Sequence, residues 1–466
     1  MKKITLLPLL LLCITVINGC SNNNSTSNTS ASLALAGSKQ GQSVGFADLD
    51  GDGIADKIVG APYSSTTSSQ TGALLVYKGN STGYSTIPTS VLLGDDNLGY
   101  SFVNLGDIDG DGKEDFAAGS IHGSGDGTGE TSLCGSVTIY KGGSGQVIKK
   151  LAGDGPMDKF GFALAAGDLN NDGTNDLIVS APFNTNDPAL YQSGAVYAYF
   201  GPDFGAATRE ALYATSMNKG LGLAVAAGDV NGDNVVDLLI SASGKVLVYY
   251  GNANFAPSLN APDLALTSTA SGFGKSLVVI GDLDGDNKKE IAVGAPNATI
   301  NNNRDTGSVY IVKGSAAGTV NVNASPPPAD LIVRIDGEGP FNRFGSSIAA
   351  IGDVDADGIP DFAVGAPMAD VTTGTGQNIL SGKVYVFKGK DISSSATIAG
   401  ATVFTGKVKN QGYGTSLAIG KGGQILIGAP RSNADTGGVD MIDPATGQAV
   451  PGGSSGGATG GSGDCH

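Results

Sequence analysis

Apolar residues gather in short runs along this chain, and clusters of Gly, Asn, Asp, Ser and Pro separate the runs. Some runs alternate apolar with polar positions, as a half-buried strand does. Others, such as 177–179 and 291–293, are continuous, as in a strand covered on both faces. No segment keeps apolar residues at helical spacing over several turns, so the pattern predicts an all-β protein of many short strands.

The runs recur in a fixed order. A strand led by Phe-Gly or a variant, as at Phe160-Gly161 and Phe344-Gly345, leads into an acidic loop. A second apolar strand then ends in Gly60-Ala61-Pro62, Ser180-Ala181-Pro182, Gly294-Ala295-Pro296 or Gly365-Ala366-Pro367, with Gly119-Ser120-Ile121 and Ser241-Ala242-Ser243 as departures. A third strand follows a glycine, and a fourth comes some residues later. The acidic loops begin at Asp48, Asp107, Asp168, Asp229, Asp282 and Asp353, with spacings of 59, 61, 61, 53 and 71 residues. Self-similarity at such a period marks a repeat architecture. Four antiparallel strands per unit cannot enclose a core alone, whereas radial repetition buries both faces of each sheet. The chain therefore reads as a seven-bladed β-propeller of four-stranded antiparallel blades over residues 31–450. Its seventh unit, from Gly412 to Pro430, carries Gly420-Lys421-Gly422-Gly423 in place of the acidic loop. Only a Gly/Ser-rich tail, residues 451–466, follows the third strand of that blade. The apolar stretch 31–36 is expected to supply its missing outer strand and close the ring from the N-terminal side.

The six acidic loops share the pattern D-x-[DN]-x-D-[GN]-x-x-[DE], which sets hard oxygen donors in one tight turn and suits calcium. The expected ligands in loop one are Asp48, Asp50, Asp52, the Ile54 carbonyl and Asp56. In loop two they are Asp107, Asp109, Asp111, the Lys113 carbonyl and Asp115, and in loop three Asp168, Asn170, Asp172, the Thr174 carbonyl and Asp176. Loop four offers Asp229, Asn231, Asp233, the Val235 carbonyl and Asp237; loop five offers Asp282, Asp284, Asp286, the Lys288 carbonyl and Glu290. Loop six offers Asp353, Asp355, Asp357, the Ile359 carbonyl and Asp361. The sixth position is Gly or Asn, the residues that tolerate a left-handed turn. Position 12 is apolar (Val59, Val179, Val293), where a helix-loop-helix calcium site has a bidentate Glu. About six structural calcium ions are expected.

These units resemble the FG-GAP repeats of the integrin α-subunit head, and the resemblance covers residues 31–450. It implies a propeller with calcium loops on one face and ligand or partner binding on the other. Leg domains, a membrane helix and a cytoplasmic tail have no counterpart here, so pairing with an integrin β-subunit is not implied. By strand alternation, the loops between second and third strands leave on the face opposite the calcium. Most of them are long, and long loops on a rigid scaffold commonly carry binding. Tyr63, Asn184, Asp187, Tyr191, Arg304, Asp305 and Asp370 are the candidate ligand-face residues; the alternative is that these loops are tolerated insertions.

Composition adds a compartment and removes some functions. Lys2 and Lys3, an apolar stretch over 4–17 and small residues before Cys20 have the layout of an export signal. Ile17-Asn18-Gly19-Cys20 resembles a bacterial lipobox, which implies a signal peptide over 1–19, acylation of Cys20 and membrane attachment at the cell envelope through a flexible tether, 20–30. An ordinary signal with an incidental cysteine is the alternative. Cys134 and Cys465 either pair or stay free. The formal charge of −16 disfavours nucleic acid. About half of the 43 acidic residues lie in the six loops, so the acidity reflects metal demand. No enzyme is expected: His122 has no nucleophile motif beside it, and Gly452-Gly453-Ser454-Ser455-Gly456 sits in the low-complexity tail. The expected function is a calcium-stabilised binding or adhesion module at the cell surface, with a protein or glycan as ligand. A lectin-like or polysaccharide-acting protein is the alternative.

Overall fold

The computed structural model describes residues 16–17 and 37–452, apart from 66–70, 95–96, 124–132, 186–191, 206–208, 216–219, 315–317, 374–375, 379, 394, 421 and 433–435. It is an all-β ring of seven antiparallel blades. Blade one comprises Val44–Ala47, Asp56–Ala61, Ala73–Tyr77 and Ser90–Leu93. Blade two comprises Leu98–Gly106, Asp115–Ser120, Ser136–Tyr140 and Val147–Ala152, and blade three Leu164–Gly167, Asp176–Ala181, Ala195–Tyr199 and Glu210–Tyr213. Blade four is Val225–Gly228, Asp237–Ala242, Lys245–Tyr249 and Leu264–Thr267; blade five is Ser276–Gly281, Glu290–Ala295, Ser308–Val312 and Leu331–Asp336. Blade six has Ser347–Gly352, Asp361–Ala366, Lys383–Phe387 and Thr402–Thr405, and blade seven has Ser416–Ile419, Ile425–Gly428 and Val439–Ile442.

The second strands of blades one, two, three, five and six are buried at every position, which is why their sequences run apolar without alternation. Their two faces serve two different cores. Leu239 packs with Ile291, Val293 and Tyr310 of blade five, whereas its neighbours Leu238 and Ile240 pack with Ile178 and Val196 of blade three. One apolar cluster fills each of the seven seams, including the seam between blades seven and one, where Leu426, Val439 and Met441 meet Val59, Leu75 and Val91.

The recurring small residues are the seam itself. The glycine of each Gly-Ala-Pro lies against the Phe-Gly backbone of the next blade: a Cβ on Gly60 would fall 2.1 Å from the Gly99 carbonyl, and one on Gly365 2.1 Å from that of Gly414. In five blades a serine on or just before the first strand completes the contact, with Ser43 Oγ donating to Gly99 O at 2.8 Å, Ser101 to Gly161 at 2.6 Å, Ser276 to Gly345 and Ser347 to Gly414 at 2.7 Å, and Ser416 to Gly41 at 2.8 Å. Blades three and four exchange the two roles. Ala163 and Ala224 stand where the serine was, and Ser180 and Ser241 replace the glycine, their Oγ atoms accepting the Ala163 and Ala224 N–H at 2.9 and 2.8 Å. The departures from Gly-Ala-Pro in those blades are thus paired with a change across the strand.

The seam that closes the ring lies between blades seven and one. Residues 31–36, the expected outer strand, lie outside the described residues. On the described side, the chain turns over 443–447 and comes back along the third strand of blade seven: Ile442 bridges Ala449, and Val450 N–H donates to Met441 O at 3.0 Å. The turn is held by Asp443, whose side chain accepts Ala445 N–H and Thr446 Oγ at 2.9 Å each. The segment then reaches blade one, where Tyr84 N–H donates to Pro451 O and Lys57 Nζ to Gly452 O. Gln40 forms a parallel bridge with Gly437 on the other side of the same seam.

Two irregular repeat lengths have structural causes. The short spacing of 53 residues follows from the tight turn at Ser243-Gly244 in blade four. The spacing of 71 holds an insertion in blade five, from which Gly318–Asn321 adds in parallel to the outer strand of blade four. No helix among the described residues is long and apolar enough to cross a membrane.

Candidate metal loops and opposite face

Each acidic loop joins the first and second strands of its blade, and its backbone follows one design. The first-position carboxylate accepts the N–H of position six, from Gly53 to Asp48 at 2.8 Å through Gly358 to Asp353 at 2.7 Å. The fifth-position carboxylate accepts the N–H of position seven, as from Ile54 to Asp52 and from Val235 to Asp233. Position six has positive φ throughout, at Gly53, Gly112, Gly173, Asn234, Asn287 and Gly358, as its residue types required. Position four is left-handed as well, at Gly51, Gly110, Asn171, Gly232, Gly285 and Ala356. Four glycines and an Asn at that position were the available signal.

The ninth-position acid is the inner wall of the loop. Asp56, Asp115, Asp176, Asp237, Glu290 and Asp361 are all buried. The carboxylate of each accepts an N–H from the second residue of its loop, as from Ile108 to Asp115 at 3.1 Å and Leu169 to Asp176 at 2.9 Å. The glycine after the third strand also donates to it, Gly79 to Asp56 at 2.9 Å and Gly142 to Asp115 at 2.8 Å. That glycine has no room for a side chain, because a Cβ on Gly79 would lie 2.5 Å from Ala55 O and one on Gly389 2.1 Å from Pro360 O.

The donor set suits a hard cation. In loops one, two, five and six, three carboxylate oxygens converge within 4.8 Å: Asp48, Asp50 and Asp52; Asp107, Asp109 and Asp115; Asp282, Asp284 and Glu290; Asp353, Asp355 and Asp357. In loops three and four, Asn170 and Asn231 replace one acid and their amides bond Asp172 and Asp233 at 2.9 Å. Asp355 Oδ1 is shielded from solvent without a hydrogen-bond partner, as expected of an oxygen that would face an ion. The residues therefore fit calcium. When bound, it would supply the positive charge that these converging oxygens share.

Lysines that the sequence reading passed over reach into the same four loops. Lys78 pairs with Asp50 and Asp52, and Lys141 with Asp109 and Asp111. Lys313 Nζ is 2.6 Å from Asp284, Lys388 Nζ 2.9 Å from Asp355, and Lys390 Nζ 2.7 Å from Asp355 and 2.9 Å from Asp357. Hydrogen bonds from these ammonium groups hold Asp50, Asp111 and Asp355 below the usual carboxylate range.

Burial acts the opposite way on the closing acids, pushing Asp56, Asp176 and Asp237 up to about 6 and Glu290 up to about 7. A carboxyl whose folded pKa is raised holds its proton more tightly folded than unfolded. Its stabilisation is complete below the unfolded value of about 4 and is lost as the pH rises through the folded one. Thermal melts of the calcium-free chain in chelator are therefore expected to give a higher Tm at pH 5 than at pH 7.5; equal or reversed values would contradict this burial.

Antiparallel pairing puts the loops between second and third strands at the other end of each blade. Arg304 and Asp370 are exposed there, and the Asp370 carboxylate accepts Leu380 N–H at 2.9 Å. Tyr63 is half-buried beneath Lys39, whose Nζ lies 4.9 Å from its ring centroid. Asp305 accepts Asn297 Nδ2 at 3.2 Å. Asn184 is a correction: it is buried and donates to Asp158 at 2.6 Å, so it braces the loop base instead of meeting solvent. Asp187, Tyr191, Cys20 and Cys465 lie outside the described residues. Cys134 is fully buried, and among the described residues its thiol has no disulfide partner. His122 Nδ1 meets Asn97 Oδ1 at 2.5 Å, and Asn97 in turn donates to Pro62 O, which ties the histidine into a loop network.

The family described as FG-GAP repeat matches residues 40–77, 160–199, 273–312 and 344–387. Integrin alpha-5 of Xenopus laevis is 27% identical over 281 residues, covering 60% of this chain and 20% of that protein. Integrin alpha-PS2 of Drosophila melanogaster is 28% identical over 277 residues, covering 54% and 18%. Phosphatidylinositol-glycan-specific phospholipase D of Mus musculus is 38% identical over 124 residues, covering 25% and 13%. The chain thus spans a fifth or less of the length of these relatives. The matched repeats are the ones whose Phe-Gly, acidic-loop and small-residue positions build the seams and loops described above, and the chain belongs with the FG-GAP-repeat, integrin α-like β-propellers.

Proposed function

We propose that the chain is a calcium-stabilised adhesion or ligand-binding module, lipid-anchored at the cell envelope through Cys20, which holds its ligand on the face opposite the acidic loops. The observation that carries this reading is the division of labour between the two ends of the blades. One end spends its side chains on loop geometry and cation donors, while the other presents Arg304, Asp370 and the longer connections on a rigid ring. A scaffold of that kind is suited to recognition. Similarity to integrin α-subunits supports binding as the role of the repeat region.

A carbohydrate ligand is the second reading. The notch beside the short loop of blade four favours it, because Thr215, Ser243, Lys245 and Asn260 set hydroxyl, amine and amide groups beside an apolar floor that includes Leu221, Leu247 and Leu259. The test is a screen of the full chain against immobilised proteins and glycans in calcium and in chelator, with Arg304→Ala/Asp370→Ala and Ser243→Tyr variants in parallel. Saturable protein binding lost in the double variant supports the first reading. Glycan binding lost only in Ser243→Tyr replaces it with the second.

A further inference from the structure

The four loops with three acids at positions one, three and five are the four that a lysine enters, and the two loops with Asn at position three are not. The lysine always stands immediately before the close-packed glycine that ends the third strand: Tyr77-Lys78-Gly79, Tyr140-Lys141-Gly142, Val312-Lys313-Gly314 and Phe387-Lys388-Gly389. Loops three and four have Tyr199-Phe200-Gly201 and Tyr249-Tyr250-Gly251 there. Because the N–H of the glycine is bound to the ninth-position acid in blades one and two, and its Cα faces the loop carbonyl in all six, the preceding residue is delivered to the loop mouth.

From this pairing we infer that Lys78, Lys141, Lys313 and the Lys388/Lys390 pair are built-in counter-ions. They hold the all-aspartate loops together when calcium is absent and set calcium affinity by opposing its entry. At ligand positions one, three, five and nine, loops one, two and five carry four acids against one entering lysine, and loops three and four carry three acids against none. Among those side chains both combinations leave the same net charge, so the substitutions at position three and before the glycine compensate each other. Loop six, with two lysines, is the most neutralised and is expected to be the weakest calcium site. The ammonium groups sit within contact distance of carboxylates at the ligand positions, so cation entry must compete with them for those side chains.

This inference rests on the calcium reading above, and one set of measurements separates the two. Calcium titration calorimetry and thermal melts in chelator are carried out on the full chain with Lys78→Met/Lys141→Met/Lys313→Met, with the three corresponding Arg substitutions, and with Phe200→Lys. The Met variant is expected to bind calcium about three- to tenfold more tightly at three sites and to melt lower than wild type in chelator. The Arg variant should behave as wild type in both respects, and Phe200→Lys should weaken one site. A Met variant with an unchanged isotherm and an unchanged melt in chelator overturns the inference, as does weaker calcium binding, which would make the lysines positioning residues for the carboxylates. A wild-type chain that takes up no calcium overturns the calcium reading and this inference together; one that loads while the variants load identically overturns this inference alone.

Discussion

Chelation of the calcium-loaded chain is expected to lower its melting temperature by about 15 °C or more. Each ion bound at a hundredfold excess over its Kd stabilises the folded chain by about 2.7 kcal/mol if it does not bind the unfolded chain. For a domain of this size each kcal/mol moves Tm by roughly 2 °C, and several sites act together. The physical origin is crowding. Carboxylates converge within 4.8 Å in four loops, where like charges repel, and the ion replaces that repulsion with shared attraction. Calorimetry in excess calcium and in chelator checks this, with magnesium as a comparison because it demands a tighter octahedral shell. A shift below about 3 °C would mean that the loops stand on their internal hydrogen bonds alone.

The second large effect belongs to the seams. Gly428→Val is expected to abolish the soluble folded ring, because a Cβ at 428 falls 2.1 Å from Gly41 O and 2.1 Å from Ser416 Oγ. Overpacking in a well-packed core costs about 1–3 kcal/mol, and more where backbone cannot yield. Here the opposing atom is main chain on the adjoining blade, so the substitution forces blades one and seven apart. Gly400→Ala is the control, since nothing lies within 4 Å of a Cβ there. Expression level and the circular dichroism melt distinguish the two; a Gly428→Val protein melting within a few degrees of wild type would show that the seam can open without loss.

The blade grammar was legible because the residues that recur are those that touch the neighbouring blade. Phe160 and Phe344 are fully buried beside Tyr197 and Tyr385, and the glycines of Gly-Ala-Pro face backbone. A residue with one permitted identity repeats visibly. The loop acids recur for a related reason, because the first- and ninth-position carboxylates hold the loop backbone. Less visible was anything that depends on two distant residues changing together, such as Ala163 with Ser180, or Asn170 with Phe200, where each alone reads as a lapse in the repeat. The return of the chain along blade seven leaves little trace, because Ala449 and Val450 are too short a run to stand out, although Asp443-Pro444-Ala445-Thr446-Gly447 carries the chemistry of a turn. Asn184 was misjudged because nothing local announces that Asp158, buried one connection earlier, claims its amide.

The seam at Gln40 also decides how the ring answers to pulling. Gln40 stands where other blades have Phe, Leu or Tyr, and its main chain is clamped on both sides, by its N–H to Thr436 O and its carbonyl from Gly438 N–H, at 3.0 Å each. Ser38 Oγ adds a bond to Thr436 O, and Ser416 Oγ one to Gly41 O. Tension arriving through residue 37 thus meets a parallel pairing loaded along its length, where several bonds must yield at once, and it meets it at the one junction made between the first and last blades. Were the chain anchored on its N-terminal side as proposed above, a pull on a bound ligand would load this clasp first, and its failure would unroll the ring from blade one onward.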